Sequence, residues 1–268
     1  MRFSANLGFL WTELSLPDAI RAAGAAGFDA VECHWPYAVP VADVQAALEE
    51  TGLRMLSLNT RRGDVDAGEF GLTALPGREA EARAAIDEAI AYARAIGTPC
   101  IHVMAGRAEG ADAGAVFAEN LRHACDSAAP HGISILIEAL NRHDAPGYFL
   151  SSLEQVIGVI EGLKRPNLRL MFDFYHVERT EGDAVARLRR ALPHVGHIQF
   201  ASVPDRGAPD HGELDYDEVF RAVAEMGHTA PLGAEYRPEA GTDASLDWLR
   251  RLRAGGRVRP GGRAAGSA

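Results

Sequence analysis

The sequence predicts a single (β/α)8 barrel, and two observations lead to that fold. Eight short apolar runs alternate with longer segments whose apolar residues recur at helical spacing. The alternation covers roughly 250 residues, which is the usual size of such a barrel, and composition does not change within residues 1–253. We therefore expect one domain over residues 1–253 and a weakly ordered tail, rich in Gly, Ala and Arg, over residues 254–268.

The predicted strands are short apolar runs that Gly, Pro or polar residues bound. They are Phe3–Leu7, Ala30–Cys33, Met55–Leu58, Cys100–Met104, Ser134–Ala139, Leu168–Phe172, Gly196–Phe200 and Gly233–Tyr236. A doubly wound sheet is the alternative fold, but it usually has a Gly-rich turn after its first strand. The segment in that place reads NLGFLWTE and has no G-x-G-x-x-G motif, which favours the barrel.

Helices are predicted in the segments between these strands. In SLPDAIRAAGAAGF, Ser15 is the expected N-cap, Pro17 lies in the first turn and Gly27 ends the helix. REAEARAAIDEAIAYARAIG has apolar residues at helical spacing and ends at Gly97. The same pattern appears in GAVFAENLRHACDSAAPHG, SSLEQVIGVIEGL, DAVARLRRAL, DYDEVFRAVAEMG and DASLDWLRRLR.

Composition excludes several classes of function. The 268 residues carry a net charge of −10, from 37 acidic and 27 basic side chains, which argues against binding nucleic acid or an anionic membrane. Three widely spaced cysteines, Cys33, Cys100 and Cys125, do not suit a disulfide framework and indicate a reducing cytoplasm. The N-terminus does not resemble a signal peptide, and the chain has no run of about 18 apolar residues that would predict a transmembrane helix.

Polar residues stand at the ends of four predicted strands. Asp173 interrupts the apolar run LMFDFYH and Glu138 interrupts ISILIEALN, while Gln199 and Glu235 lie at or near the ends of strands seven and eight. Burying an unpaired carboxylate costs several kcal/mol. Each acid is therefore expected either at a strand end that opens onto a pocket or beside a cation. In a (β/α)8 barrel, the carboxyl ends of the strands carry the active site.

Together, Glu138, Asp173, Gln199 and Glu235 predict a metal site with oxygen ligands. Carboxylates and an amide carbonyl suit Mg²⁺ or Mn²⁺ better than Zn²⁺, which favours His and Cys, and a divalent cation would offset the desolvation of the buried acids. For any single acid, a bond to a backbone amide or an arginine is the commoner explanation. Four such residues on neighbouring strands favour the metal.

Further polar residues flank this predicted site. His176, three residues after Asp173, is placed to turn back over the barrel mouth and polarise a substrate oxygen, with a satisfied loop histidine as the alternative. Arg206 follows strand seven and could clamp a carboxylate or a hydroxyl, although a solvated loop arginine is the commoner case. His102 on strand four could line the pocket, but such a residue is more often a packed histidine. The cysteines carry no expected chemistry.

Two glutamates that flank one metal suggest a reaction. A cation that holds a carbonyl oxygen and the neighbouring hydroxyl acidifies the C–H bond between them and stabilises an enediolate. One glutamate would then remove a proton and the other would return it. The residues therefore predict isomerisation or epimerisation of a hydroxycarbonyl compound.

The chain also resembles the hydroxypyruvate isomerases, within the wider xylose isomerase-like group of TIM barrels. The resemblance runs over residues 2–250 and is carried by RFSANL, GLTALPGRE, IHVMAGR, ENLRHA, ILIEALN, RPNLRLMFDFYH, VGHIQFASVPDRG, GELDY and GAEYRP. It implies that Glu138, Asp173, Gln199 and Glu235 bind Mg²⁺ or Mn²⁺. It further implies that Glu138 and Glu235 are the acid–base pair and that His176 and Arg206 contact substrate. The implied reaction converts hydroxypyruvate to 2-hydroxy-3-oxopropanoate, in glyoxylate or glycerate metabolism and without a redox cofactor.

Some positions depart from that family and leave alternatives open. Ala139 stands where proline is common, Ala208 where an acid is common, and Val65 and Phe70 where other forms carry Trp and Arg. A 2-oxo-tetronate isomerase or a ketose 3-epimerase would use the same site, although epimerases of this group usually have histidine at the position of Gln199. A zinc-dependent endonuclease and a non-catalytic barrel are less favoured. The sequence leaves open whether the chain forms a homo-oligomer.

Overall fold

The computed structural model describes residues 1–259 and contains one closed barrel of eight parallel strands. The strands follow the order β2-β1-β8-β7-β6-β5-β4-β3, and a parallel bridge between Val31 and Met55 closes the ring between β2 and β3. The predicted fold is confirmed, and each predicted strand is present with ends that differ by at most two residues. The strands are β1 (Phe3–Asn6), β2 (Ala30–Glu32), β3 (Ser57–Asn59), β4 (Cys100–His102), β5 (Ser134–Ile137), β6 (Leu168–Asp173), β7 (Val195–Phe200) and β8 (Leu232–Ala234).

Helices connect the strands and form the outer layer. Over residues 1–259 they are α1 (Leu16–Ala25), α2 (Val41–Thr51), α3 (Glu79–Ile96), α4 (Gly110–Ala128), α5 (Leu153–Leu163), α6 (Phe174–Glu181), α7 (Ala184–Ala191), α8 (Tyr216–Glu225) and α9 (Asp247–Arg253). Ser15 caps α1 by accepting a hydrogen bond from the Asp18 backbone N–H, and Gly97 ends α3 in the left-handed conformation, both as predicted.

Helices α2 and α6 were not predicted. The side chain of Asp173, the last residue of β6, also caps α6 by accepting a hydrogen bond of 2.8 Å from the Tyr175 backbone N–H. Strand and helix therefore join without Gly, Pro or any loop residue between them, so the sequence shows no boundary. The first polar side chain at the barrel mouth is fixed by both elements at once.

An aromatic cluster anchors the side of the barrel on which β7 and β8 lie. The Trp248 ring in α9 lies edge-on to Phe3 and Phe200, with centroid distances of 5.1 and 5.6 Å. Phe200 also meets Phe220 of α8 at 5.1 Å. The cluster joins β1, β7, α8 and α9, so it holds the strand that carries Gln199 against two outer helices.

The chain stays packed beyond α9. Val258 is buried, and its backbone N–H donates to the Asp217 side chain over 2.8 Å. The rest of the predicted tail, residues 260–268, lies outside the described residues, so the domain boundary at residue 253 stays a prediction. None of the helices in residues 1–259 is long and apolar enough to cross a membrane.

Replacing Trp248 with alanine should destabilise the barrel strongly. The side chain is fully buried, and truncation of a buried aromatic residue leaves a cavity that typically costs about 3–5 kcal/mol. Urea unfolding of Trp248→Ala should show this loss in the free energy of unfolding. Leu14→Ala, at a position that is 41% exposed, is the control and should change stability little. Equal stability of the two variants would contradict the proposed anchoring role.

Candidate active site

The carboxyl ends of the strands open onto a cavity of about 350 Å³. Glu138, His176, Gln199, Arg206 and Glu235, all singled out from the sequence, line this cavity. Asp173 lies just behind the wall, with Oδ2 at 3.7 Å from His176 Nε2 and 3.8 Å from Arg206 Nη2. The structure therefore brings all six predicted site residues to one end of the barrel.

Three of the four predicted metal ligands have a buried oxygen without a partner among the described residues. These atoms are Glu138 Oε1, Asp173 Oδ2 and Gln199 Oε1. Ligand atoms of Glu138, Asp173 and His176 also lie within 4.8 Å of one another. Buried polar atoms are nearly always satisfied, and unpaired ones require an explanation. A cation bound between these oxygens would supply that explanation, so the donor set fits a divalent metal with hard-oxygen preference.

Glu235 differs from the other three because both of its oxygens are already bonded. Its Oε1 accepts from Asn6 Nδ2 over 2.7 Å and lies 3.2 Å from His34 Nε2, while its Oε2 accepts from Arg206 Nη2. A metal ion near Glu138 and Asp173 would have to share this carboxylate with the arginine. The carboxylate of Glu235, the fourth predicted ligand, would therefore lie between the Arg206 guanidinium and the metal ion.

Arg206 is a buried ion-pair partner, whereas a solvated loop arginine was the commoner expectation from sequence. Its guanidinium bonds Glu235 and packs over the Phe9 and Tyr175 rings, at 4.6 and 5.0 Å from their centroids. Its backbone has φ of 59°, in the left-handed region, which costs about 1–2 kcal/mol for a residue with a Cβ atom. A loop held in that conformation by packing and by Glu235 places a fixed positive charge in the cavity wall.

The pKa values of the two glutamates are shifted in opposite directions. Burial raises the pKa of Glu138 well above its usual value, and the negative charges of Glu235 and Asp173 raise it further. Burial would also raise the pKa of Glu235, but Arg206 and His34 outweigh it and hold the pKa at about 2. Burial and Glu235 raise the pKa of Asp173 to about 7. Two carboxyl groups with separated pKa values are typical of an acid–base pair.

His176 is arranged as a hydrogen-bond donor. Its Nδ1 accepts from the Asn141 backbone N–H over 3.1 Å and lies 2.8 Å from Asn141 Nδ2. Because Nδ1 accepts, the network assigns the ring proton to Nε2, which faces Glu138 and Asp173. Burial lowers the pKa of His176 to about 3, so the ring is neutral. A protonated Nε2 cannot ligate a metal, but it can donate to a substrate oxygen.

His102 also reaches the cavity wall. Its Nε2 lies 3.8 Å from Glu138 Oε2 and lacks a hydrogen-bond partner among the described residues. Burial lowers the pKa of His102 to about 4, so it is neutral as well. The position agrees with the pocket-lining alternative, and the ring adds a second neutral imidazole beside Glu138.

Glu32 orients Gln199, and sequence reasoning missed it. Its Oε1 accepts from Ser4 Oγ over 2.6 Å and lies 3.0 Å from His197 Nε2. Its Oε2 accepts from Gln199 Nε2 over 2.7 Å. A carboxylate only accepts hydrogen bonds, so the amide nitrogen must face Glu32. The same nitrogen also donates to Glu235 Oε1 over 3.4 Å, which leaves Gln199 Oε1 without a partner among the described residues. The available signal was the same as for Glu138, an acid within an apolar run.

Gly233 makes room for Glu32 inside the barrel. A Cβ atom on Gly233 would lie 2.3 Å from Glu32 Oε1 and 2.8 Å from the Gln199 side chain. Either contact is far inside the van der Waals limit. The inward position of β8 is therefore empty so that the carboxylate from β2 can reach across to β7.

Other cavity residues come from loops and were not found from the sequence. His34 and Trp35 follow β2, Arg62 and Phe70 follow β3, and Arg237 follows β8. Loop residues have no periodicity, so only their place after a strand end could have pointed to them.

Comparison with known proteins places the chain among enzymes that share this barrel. A family model described as xylose isomerase-like TIM barrel matches residues 20–252. The 2-oxo-tetronate isomerase of Cupriavidus necator is 43% identical to it, over 93% of this chain and 97% of that protein. The hydroxypyruvate isomerase of Escherichia coli is 34% identical, over 93% and 98%. A crystal structure described as an AP endonuclease of family 2 from Brucella melitensis is 36% identical, with a TM-score of 0.90 over 93% of this chain and 98% of that one.

Metal addition should stabilise the chelator-treated protein against heat. A ligand at 100 times its Kd adds about 2.7 kcal/mol to the free energy of unfolding, which is roughly 5–10 °C in Tm for a chain of this size. Mn²⁺ should produce this shift in the wild type and in the control Asp247→Asn, where the side chain is 63% exposed. In Asp173→Asn the shift should be absent, because a carboxylate oxygen without a partner becomes an amide. An unchanged shift in Asp173→Asn would contradict the metal site.

Replacing Glu32 with glutamine should weaken metal binding without removing a ligand. The new amide can donate to Gln199 Oε1, so the oxygen is no longer held toward the other ligands. Loss of such an orienting partner typically costs 10–100-fold in metal affinity. Titration with Mn²⁺ should show this loss in Glu32→Gln. Glu50→Gln, at an exposed ion pair with Arg21, should bind as tightly as wild type, and equal affinity of both variants would reject the orienting role.

Proposed function

The chain belongs to the hydroxypyruvate isomerase family of xylose isomerase-like TIM barrels, and we propose that it is a metal-assisted isomerase that interconverts hydroxypyruvate and 2-hydroxy-3-oxopropanoate. The observation that carries this proposal is the pair of glutamates, Glu138 and Glu235, which face one cavity with pKa values shifted in opposite directions. Such a pair suits the removal and return of a carbon-bound proton.

The metal ligands in this proposal are Glu138, Asp173, Gln199 and Glu235. Three of them have an unpartnered buried oxygen, and all the donor atoms are oxygens, which supports Mg²⁺ or Mn²⁺. When bound, the cation would polarise the substrate carbonyl and the adjacent hydroxyl and offset the charge of an enediolate. The remaining chemistry belongs to the side chains of this chain.

Glu235 is the proposed base because Arg206 keeps it ionised. It would take a proton from C3 of hydroxypyruvate, and Glu138, whose pKa is raised, would return one to C2. The hydroxyl proton leaves O3 and one arrives on O2, so no electrons enter or leave. His176 Nε2–H would donate to the substrate oxygen on which charge develops. In the reverse direction, the two glutamates exchange roles.

The charge and metal chemistry support a small-molecule substrate rather than nucleic acid. The net charge is −10, which opposes binding to a polyanionic backbone. Over residues 1–259, the group of side chains suited to a metal contains a single histidine, unlike the histidine-rich zinc centre expected of an endonuclease. The three cysteines are free, which supports a cytoplasmic location.

A 2-oxo-tetronate isomerase is the second candidate. The observation that favours it is the 43% identity with the enzyme of that name from Cupriavidus necator. The reaction would use the same glutamates on a substrate with one more carbon, and a cavity of about 350 Å³ has room for either acid.

The test follows turnover by NMR in deuterated water. Chelator-treated protein receives Mg²⁺ or Mn²⁺ and is offered hydroxypyruvate, 2-oxo-tetronate or a free ketose in parallel. The proposal predicts metal-dependent conversion of hydroxypyruvate, fastest of the three, with deuterium at C2 of the product. Faster conversion of 2-oxo-tetronate would establish the second candidate, and conversion of the ketose alone would indicate an epimerase or sugar isomerase.

Variants of the two glutamates test the mechanism. Glu138→Gln and Glu235→Gln should each lower the rate about 10²–10⁴-fold, since each removes one proton carrier. Glu119→Gln, at a side chain that is 62% exposed, should turn over at the wild-type rate. Full activity of either site variant would reject the acid–base assignment.

A further inference from the structure

Arg62 presents an uncommitted positive charge to the cavity. Its side chain lines the cavity and is half-buried, yet within residues 1–259 its guanidinium has neither a hydrogen-bond acceptor nor an ion-pair partner. Two other arginines line the cavity: Arg206 pairs with Glu235, and Arg237 is exposed and contacts only the Phe9 ring, at 5.8 Å, so Arg62 is the half-buried cavity arginine without an anionic partner among the described residues. A half-buried guanidinium has five N–H donors, and where no side chain or carbonyl of the described residues accepts from them, they are available to bind an anion.

The guanidinium is held in place before any ligand arrives. It stacks over the Trp35 ring, with 3.7 Å between its Cζ atom and the ring centroid, and Trp35 is fixed by a hydrogen bond of 3.0 Å from Nε1 to the Thr60 carbonyl. Stacking on the ring face leaves the guanidinium edge, with its N–H groups, free to bind in plane. Pre-organisation of this kind lowers the entropy cost of binding a ligand.

The loop that carries Arg62 is itself built tightly. The Gly71 N–H donates to the Arg62 carbonyl over 2.8 Å, and Glu69 accepts from the Asp64 N–H and pairs with Arg78. Gly63 has φ of 90°, and a Cβ atom there would lie 2.1 Å from Glu69 Oε2. The loop therefore returns on itself directly after Arg62 and fixes where that side chain points.

The position of Arg62 complements the proposed reacting centre. It follows β3, which is four strands from β7 in the eight-stranded barrel and so faces Gln199 across the mouth. The glutamates and Arg206 occupy the β5–β8 side. A substrate whose hydroxycarbonyl end lies at the glutamates would direct its other end across the cavity, toward the side that Arg62 occupies.

We infer that Arg62 binds the carboxylate of the substrate and selects hydroxy-oxo acids over neutral sugars. The inference rests on the proposed function for the identity of the reaction, but the carboxylate site itself stands on Arg62, Trp35 and the cavity. Arg62 is thus a specificity-determining residue, and it takes no part in the proton transfer.

A binding experiment tests the carboxylate site apart from turnover. Metal-loaded protein is titrated with glycerate and with glycerol, which differ in a carboxylate against a hydroxymethyl group, and binding is followed by calorimetry. Wild type should prefer glycerate by about 10–100-fold, the range of a charge-assisted hydrogen-bonded contact. Arg62→Met should lose most of this preference. Arg62→Lys should keep only part of it, because an ammonium has no bidentate edge.

Arg61→Met is the matched control. Arg61 is the neighbouring residue on the same loop, but it is exposed, pairs with Glu88 and does not line the cavity. This variant should retain the wild-type preference for glycerate. The inference is overturned if wild type binds glycerate and glycerol equally, or if Arg62→Met retains the preference.

Turnover separates this inference from the proposed function. With hydroxypyruvate, Arg62→Met should raise KM about tenfold or more, while conversion of neutral dihydroxyacetone, at whatever rate wild type shows, should not change. Wild type that is inactive on hydroxypyruvate, yet prefers glycerate through Arg62, would reject the isomerase and support the carboxylate site. Active wild type with an unchanged KM in Arg62→Met would reject the carboxylate site and leave the isomerase in place.

Discussion

The structure depends on four acidic side chains that are buried at one end of the barrel and on the groups that stabilise them. Glu32, Glu138, Asp173 and Glu235 are all buried there, where the effective dielectric constant is low and like charges repel strongly. Arg206, whose side chain is 11% exposed, contacts Glu235 and Asp173. Glu138 has only His102 and His176 as close basic neighbours, at 3.8 and 4.0 Å. This arrangement is expensive unless a second cation is present. The raised pKa values of Glu138 and Asp173 agree with that deficit, since neighbouring acidic groups raise both.

Parallel strand register converts these separate residues into one site. Asp173 pairs with Gln199, and Gln199 pairs with Gly233, so side chains from β6 and β7 lie at one level and the β8 position at that level is empty. Glu235 directly follows β8, two residues after Gly233, and therefore lies on the same face, one layer higher. The side chain of Glu32, from β2, occupies the space that a side chain at Gly233 would fill. The carboxyl ends of neighbouring strands thus build two layers: a lower layer with Asp173, Gln199 and Glu32, and an upper layer with Glu235.

The features predicted correctly are those that local sequence patterns determine. The strands were found because short apolar runs recur with Gly and Pro between them, and Glu138 and Asp173 were noticed because a carboxylate inside such a run is costly. The burial of Arg206 was not favoured, because Glu235, its partner, is 29 residues away and no local pattern reports that pairing. Arg62 and Trp35 belong to different loops and meet only once β2 and β3 are neighbours. Glu32 carried the same local signal as Glu138, but its run of three strand residues was too short to make the acid conspicuous.

An acidic protein with acids at its mouth must still admit an anion, if the proposed substrate is correct. The net charge is −10, and salt screens exposed charges beyond about 8 Å at physiological ionic strength. Charges within the mouth act at shorter range, and there Arg62, Arg206 and Arg237 line the cavity. A metal ion would add positive charge next to the glutamates. Under the proposed function, these positive charges offset part of the charge of the acids at the mouth. Arg62, opposite the reacting end, would align the carboxylate so that the hydroxycarbonyl group enters first.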